Sequence, residues 1–379
     1  MSEAGRRHLT RREELRIRGL YANDAGDYAG AEAAFTEMVE EYPHDFLGFF
    51  YLGNAVRWQN RMEQAIKAFR RAEQLRPDSS SVHANLAAAC LFAHRPEEAE
   101  AEARRLREIG RGDLAEHYLG VLRFVRGEYR EASKAFDNEM KSADVSTKSR
   151  GYSASAELKA ELGQHDLAIE LLERGAEQDR QAGKSGAAAH KLLSAAYLYA
   201  GRNRRDLLRT ACAAAVREDS SAATLMRAGT LYSRAGLLTE AYALKKRLDA
   251  LEDSSPRVLL AKYRLEGEIL LAAGRTAEAV ERFRLADKLD APLQHREYLA
   301  HALSSAGENS EALFLYRRLM DSPELVAHII DSDSPGILTG SLPVIEKLAR
   351  LCGQEDQANR AARLYELRRG PRNTFERRN

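Results

Sequence analysis

The sequence predicts an all-α solenoid of about ten stacked helical hairpins. Three observations carry that reading: a helical composition, a motif recurring roughly every 34 residues, and a small residue at one fixed place in nearly every copy. Of 379 residues, 44% are hydrophobic, mostly Ala and Leu, while 30% are charged, 7% are aromatic and nine are Pro. Amphipathic helices are built from such residues, whereas strands need more Val, Ile, Thr and aromatics.

Gly53, Asn60, Ala65, Phe69, Ala72 and Pro77 set the spacing of one unit, and Gly19, Gly26, Ala31, Phe35, Met38 and Pro43 repeat it 34 residues earlier. Carried along the chain, this ruler places the inter-helix turns at Gly26, Asn60, His94, Gly127, Gly163, Gly201, Gly236, Gly274, Gly307 and Gly353. Glycine there ends a first helix in the left-handed conformation. Five residues on, in the second helix, stand Ala31, Ala65, Ala99, Ala132, Ala168, Ala241, Ala279, Ala312 and Ala358; the sixth unit breaks the rule with Asp206. Four residues later a bulky side chain recurs as Phe35, Phe69, Phe136, Leu172, Phe283 and Tyr316. Small residues let two helices approach closely, and the bulky one fills the remaining space. One hairpin cannot bury its apolar face alone, but a stack shares a continuous core.

These residues resemble the tetratricopeptide repeat family. Leu52, Gly53, Ala65, Phe69, Ala72 and Pro77 follow its pattern in the second unit, and Gly26-Asp27-Tyr28 and Gly127-Glu128-Tyr129 follow its turn. The resemblance covers Arg12 to Gly370 and implies a right-handed superhelix whose first helices line a concave groove. It divides the chain into a lead-in over 1–11, repeats one to nine over 12–325, an insertion and terminal capping hairpin over 326–370, and a basic disordered tail over 371–379. A narrower resemblance rests on the run from Leu9 to Arg18, leading into Tyr21 and Gly26-Asp27-Tyr28, and on Asp331 to Gly336 ahead of the last hairpin. These are similar to the sensory repeat region that follows the kinase domain in many bacterial serine/threonine kinases, which implies binding of protein partners or ligands.

Composition removes several function classes. With 58 basic and 57 acidic residues the chain carries a net charge of +1, without the basic footprint of nucleic-acid binders. No apolar run is long enough to insert in a membrane, and Met1 to Arg12 lacks the apolar core of a secretory signal, so a cytoplasmic location is expected. Cys90, Cys212 and Cys352 are scattered, which fits neither a disulfide framework nor a zinc site. Gly183-Lys184-Ser185 lacks the preceding Gly of a phosphate loop, Gln178 standing in its place, and reads as an exposed connection. Asp331-x-Asp333 fails as a calcium loop at Pro335 and Leu342. No histidine pairs at metal spacing; His83, His117, His190 and His301 read as hydrogen-bonding residues on helices. Glu97, Glu98, Glu100 and Glu102 beside Arg104, Arg105 and Arg107 read as a solvated face. Nothing here supports an enzyme, a metal or a cofactor.

What remains is recognition. The family's geometry turns Phe50, Asn54, Arg57 and Trp58 of unit two, Asn85 and Phe92 of unit three, and His117, Phe124 and Val125 of unit four toward the groove. Asn54 and Asn85 match a pair that some family members use to hold a peptide backbone, since an amide both donates and accepts. The positively charged positions of a carboxylate clamp are here Phe50, Leu114 and Tyr118, so an apolar protein or peptide segment is the expected ligand. Lys191, Tyr199, Arg234, Arg264 and Glu268 continue the groove as a more polar stretch. The reading is a non-catalytic bacterial signalling adaptor or sensory scaffold; the alternative is an assembly subunit that self-associates or bridges complexes through its convex face or ends.

Overall fold

The computed structural model describes residues 9–289, 296–320 and 337–369. Among them all regular structure is helical, in twenty helices that pair into ten hairpins. Unit one is α1 (Arg11–Ala25) and α2 (Tyr28–Glu41); unit two is α3 (Phe46–Trp58) and α4 (Met62–Leu75). Then come α5 (Ser80–Phe92) with α6 (Pro96–Glu108), α7 (Gly112–Val125) with α8 (Tyr129–Glu139), and α9 (Val145–Glu161) with α10 (His165–Gln181). Units six to eight are α11 (Ser185–Gly201) with α12 (Arg205–Glu218), α13 (Ala222–Arg234) with α14 (Leu238–Asp249), and α15 (Pro256–Ala272) with α16 (Thr276–Asp287). Units nine and ten are α17 (Arg296–Ser305) with α18 (Asn309–Met320) and α19 (Ile337–Leu351) with α20 (Glu355–Arg369). The insertion expected ahead of α19 and the tail over 371–379 lie outside the described residues.

Local chemistry starts and stops these helices. Thr10 and Glu13 cap α1 reciprocally, and Asp27, Asp45 and Asp144 accept the backbone N–H three residues on, at 2.8, 2.9 and 2.7 Å. Pro96 and Pro256 occupy first helical positions, where no backbone donor is lost. Nine of the ten expected turn residues have positive φ, Asn60 and His94 among them. Gly201 does not. It closes α11, and Asn203 takes the left-handed position at φ 55°. The ruler therefore shifts by two in unit six, and fully buried Leu208 stands at the crossing instead of Asp206. Helices of 17 residues in α9, α10, α11 and α15, against 13 or 14 in units two and three, account for the drifting period.

The crossing follows one rule. A Cβ added to Gly19, Gly53, Gly120 or Gly267 would lie 2.5, 2.5, 2.6 or 2.7 Å from the ring of Phe35, Phe69, Phe136 or Phe283 respectively, sixteen residues further on in each case. Each aromatic is buried and sits in the space its own first helix leaves open. Unit seven varies the rule: Leu265 of unit eight reaches over Gly229 from the neighbouring hairpin. The core runs along the stack, from Leu15, Phe35 and Met38 in unit one through Leu86 and Leu158 to Leu303 and Ala349 near the end.

The superhelix also closes on itself. Arg257 at the start of α15 donates to the Asn23 carbonyl of unit one at 3.3 Å, and its backbone comes within 3.2 Å of the Cβ position of Gly26. Further along, α9 touches α19. Seven hairpins of curvature thus bring unit eight back against unit one.

Candidate functional site

The candidate residues divide into an apolar set on units two to four and a polar set on later units. In unit two, Phe46 and Phe50 stack with ring centres 6.0 Å apart, and the Arg76 guanidinium lies 4.2 Å over Phe46. Two turns on, Trp58 stacks against Tyr28 at 6.0 Å and takes the Arg57 guanidinium at 4.9 Å. Gln59 fixes this corner by donating to the Tyr28 carbonyl at 3.1 Å and to Glu32 at 2.9 Å. Trp58 nevertheless keeps 38% of its surface exposed, and Val125 in unit four keeps 54%.

The residues expected to line the groove fall into two groups. Phe50, Asn54, Arg57 and Asn85 are half-buried and Trp58 is exposed. Phe92, His117 and Phe124 are buried. His117 is only 1% exposed, and its Nδ1 lies 2.9 Å from the Glu139 carboxylate, itself beside Arg150. Burial follows from the stack, because each first helix is covered by the next hairpin. The Asn85 amide donates to Ser81 of its own helix at 2.8 Å, which leaves its carbonyl oxygen for any outside donor.

Glu102 is a correction: it belongs to no solvated face. It is buried against His83, whose Nδ1 lies 2.7 Å away, and against Arg70. The His83 Nε2 lies 2.7 Å from the Pro77 carbonyl, so both ring nitrogens face oxygen acceptors and the imidazolium is favoured. Burial opposes that charge, yet the bonds to Glu102 and Pro77 outweigh it and the His83 pKa is raised. Glu102 is held below the usual carboxylate range: burial pushes it up, while His83 and Arg70 pull it down by more. Ligand atoms of Glu73, His83 and Glu102 lie within 4.8 Å of one another, a juxtaposition that spacing along the chain does not reveal. Arg70 and protonated His83 already supply this cluster with positive charge. Burial pushes the thiols of Cys90 and Cys212 up to about 12, away from the thiolate a nucleophile needs.

In the polar set, Lys191 reaches Asp179 at 2.5 Å and Ser149 at 2.8 Å, and Ser149 donates to Asp179 at 2.9 Å, all three buried. Arg234 holds both oxygens of buried Glu268, at 2.8 and 3.0 Å. Arg264 lies 3.8 Å over the Tyr298 ring and Arg234 4.9 Å over it. Of the five residues expected here, Lys191, Arg234, Arg264 and Glu268 form these inner contacts, while Tyr199 donates to Glu173 on α10 at 2.7 Å. Asp179 and Tyr298 escaped the sequence reading, since each meets its partner only across helices.

Hairpins with small crossing residues, left-handed turns and a shared inner face define an α-helical repeat scaffold. Residues 57–123 match the tetratricopeptide repeat family. Comparison with curated protein sequences finds no match. Among solved structures the chain is similar to a tetratricopeptide repeat protein from Parabacteroides merdae, at 16% identity over 77% of this chain and 99% of that one, with a TM-score of 0.36. It is also similar to PilF of Pseudomonas aeruginosa, at 19% identity over 59% and 97%, with a TM-score of 0.37. A third is YrrB, described as having an unusual peptide-binding site, at 18% identity over 50% and 95%, with a TM-score of 0.29.

Proposed function

We propose that the protein is a non-catalytic scaffold that takes an apolar peptide segment of a protein partner along the inner face of units two to four, as a cytoplasmic bacterial signalling adaptor or sensory module. The observation that carries this reading is the exposed Trp58, set between Tyr28 and Arg57 on the helix that also carries half-buried Phe50 and Asn54. A pre-positioned aromatic costs little entropy to engage, and such residues supply most of the energy at peptide interfaces. Asn54 and the free oxygen of Asn85 offer polar anchors for an extended backbone. The test compares partners captured by the wild type and by a Phe50→Ala/Trp58→Ala variant, followed by titration of the captured partner's apolar segment. Loss of affinity by tenfold or more in the variant supports the groove; equal affinity rejects it.

A second reading, association through one end, draws on Phe314, Leu351 and Leu364, large apolar side chains exposed on units nine and ten. Light scattering over a concentration series, with Phe314→Glu as comparison, separates the two: a mass that rises with concentration only in the wild type favours association.

A further inference from the structure

A cavity of about 530 Å³ lies between α8, the second helix of unit four, and the end of α9 with the turn that follows it. Its wall carries Arg130, Lys134 and Lys141 along α8, and Lys159 from α9. None of these four cations forms an ion pair among the described residues. Asp137, the one carboxylate on the described wall, pairs with none of them, so four positive charges stand against one negative. Glu157 and Glu161 flank Lys159 along α9, but both are buried and have partners of their own. Glu131 stands about 100° round α8 from Arg130 and is off the wall. By contrast Arg95, Arg105 and Arg111, just before on the chain, each hold a carboxylate.

The same wall holds amides with nothing to bond. The side chains of Asn138 and Gln164 have no hydrogen-bond partner among the described residues, and Gln164 stands at the N-cap of α10 without making a capping bond. An amide both donates and accepts, which suits the N–H and C=O groups of an extended backbone. Leu162 and Tyr129, whose ring packs on buried Phe124 at 5.7 Å, supply the apolar part of the wall. Spacing then selects the ligand. From Arg130 to Lys141 the helical path rises about 16 Å, which an extended chain covers in about five residues. Along that line the sign runs positive at Arg130 and Lys134, negative at Asp137 and positive at Lys141. A uniform polyanion such as a nucleic-acid strand sets a phosphate against Asp137, whereas a peptide can place a neutral residue there. We propose that this cavity docks a short, extended, acidic segment of a protein partner. Its carboxylates meet Arg130, Lys134, Lys141 and Lys159, and its backbone meets Asn138 and Gln164. Exposed charges of this kind are screened by salt, so affinity falls as ionic strength rises. None of the four cations belongs to the apolar set on units two to four, so either surface can fail without the other.

Fluorescence anisotropy of a labelled Glu-Glu-Glu-Gln-Glu-Glu peptide, titrated with the full chain at low salt, tests this beside labelled hexaglutamine and hexathymidine. The variants are Lys134→Glu/Lys159→Glu, Asp137→Asn and, as a control, Lys246→Glu at an exposed lysine of unit seven. The acidic peptide is expected to bind, hexaglutamine not to bind, and the double variant to lose at least tenfold with unchanged helicity by circular dichroism. If the double variant loses helicity, Lys134→Gln decides in its place, with an expected loss of at least threefold. Lys246→Glu and Phe50→Ala/Trp58→Ala are expected to match the wild type, and Asp137→Asn to bind hexathymidine more tightly than the wild type does. No binding of the acidic peptide, equal loss in Lys246→Glu, or hexathymidine bound more tightly than the peptide by the wild type overturns the proposal. Unchanged hexathymidine affinity in Asp137→Asn overturns the alignment along α8.

Discussion

His83 illustrates how one buried side chain makes stability depend on pH. Its pKa is raised because Glu102 and the Pro77 carbonyl hold the protonated ring against the cost of burial. The stability this contributes is complete below about 6.5, the ordinary histidine value, and is lost as pH rises through the higher folded value. His301 works in the opposite sense, since burial and nearby Arg234 lower its pKa. Melting temperatures from pH 6 to 9 for wild type and His83→Gln therefore isolate the His83 share. The gap between them is expected to shrink as pH rises; a constant gap would mean that His83 is neutral in the fold.

Within a hairpin, two kinds of glycine do different work, and substitution separates them. At Gly53 the backbone is helical and Phe69 occupies the space, so Gly53→Val drives a side chain into a fixed ring and is expected to cost about 1–3 kcal/mol. At Gly236, φ is +74° with nothing within 4 Å of a Cβ, so Gly236→Ala meets no clash and pays only for a left-handed backbone, about 1–2 kcal/mol. Urea denaturation measures both losses. Phe69→Leu in the Gly53→Val background is expected to recover part of the first, whereas no side-chain change rescues the second.

Across the full stack the question is how many hairpins unfold together. Linear repeat arrays behave as chains of nearest-neighbour couplings, and long ones lose two-state behaviour. Here unit one is tied to unit eight through Arg257 and Asn23, and α9 to α19, so distant hairpins share contacts that an open array lacks. Trp58 is the only tryptophan and reports on units one and two, while far-ultraviolet circular dichroism reports on every helix. Coincident urea midpoints are expected in the wild type, separating in Arg257→Ala. Midpoints already apart in the wild type would show that the closing contact carries little coupling.

Most of the architecture was legible along the chain, because close helix crossings demand small residues and sharp turns demand glycine or asparagine, and both demands recur at a period. Gly201 misled where a longer first helix moved the turn to Asn203, since a glycine tolerates helix interior as well as turn. Exposure was readable only in part: Trp58 is exposed and Phe50 half-buried, but Phe92, His117 and Phe124 go into the core once the next hairpin covers them. Partners such as His83 with Glu102 and Lys191 with Asp179 lie on different helices. Periodicity in one chain states which face a residue occupies on its own helix. Which side chain meets it there depends on the curvature of the stack, a sum of small rotations between hairpins that no local pattern encodes.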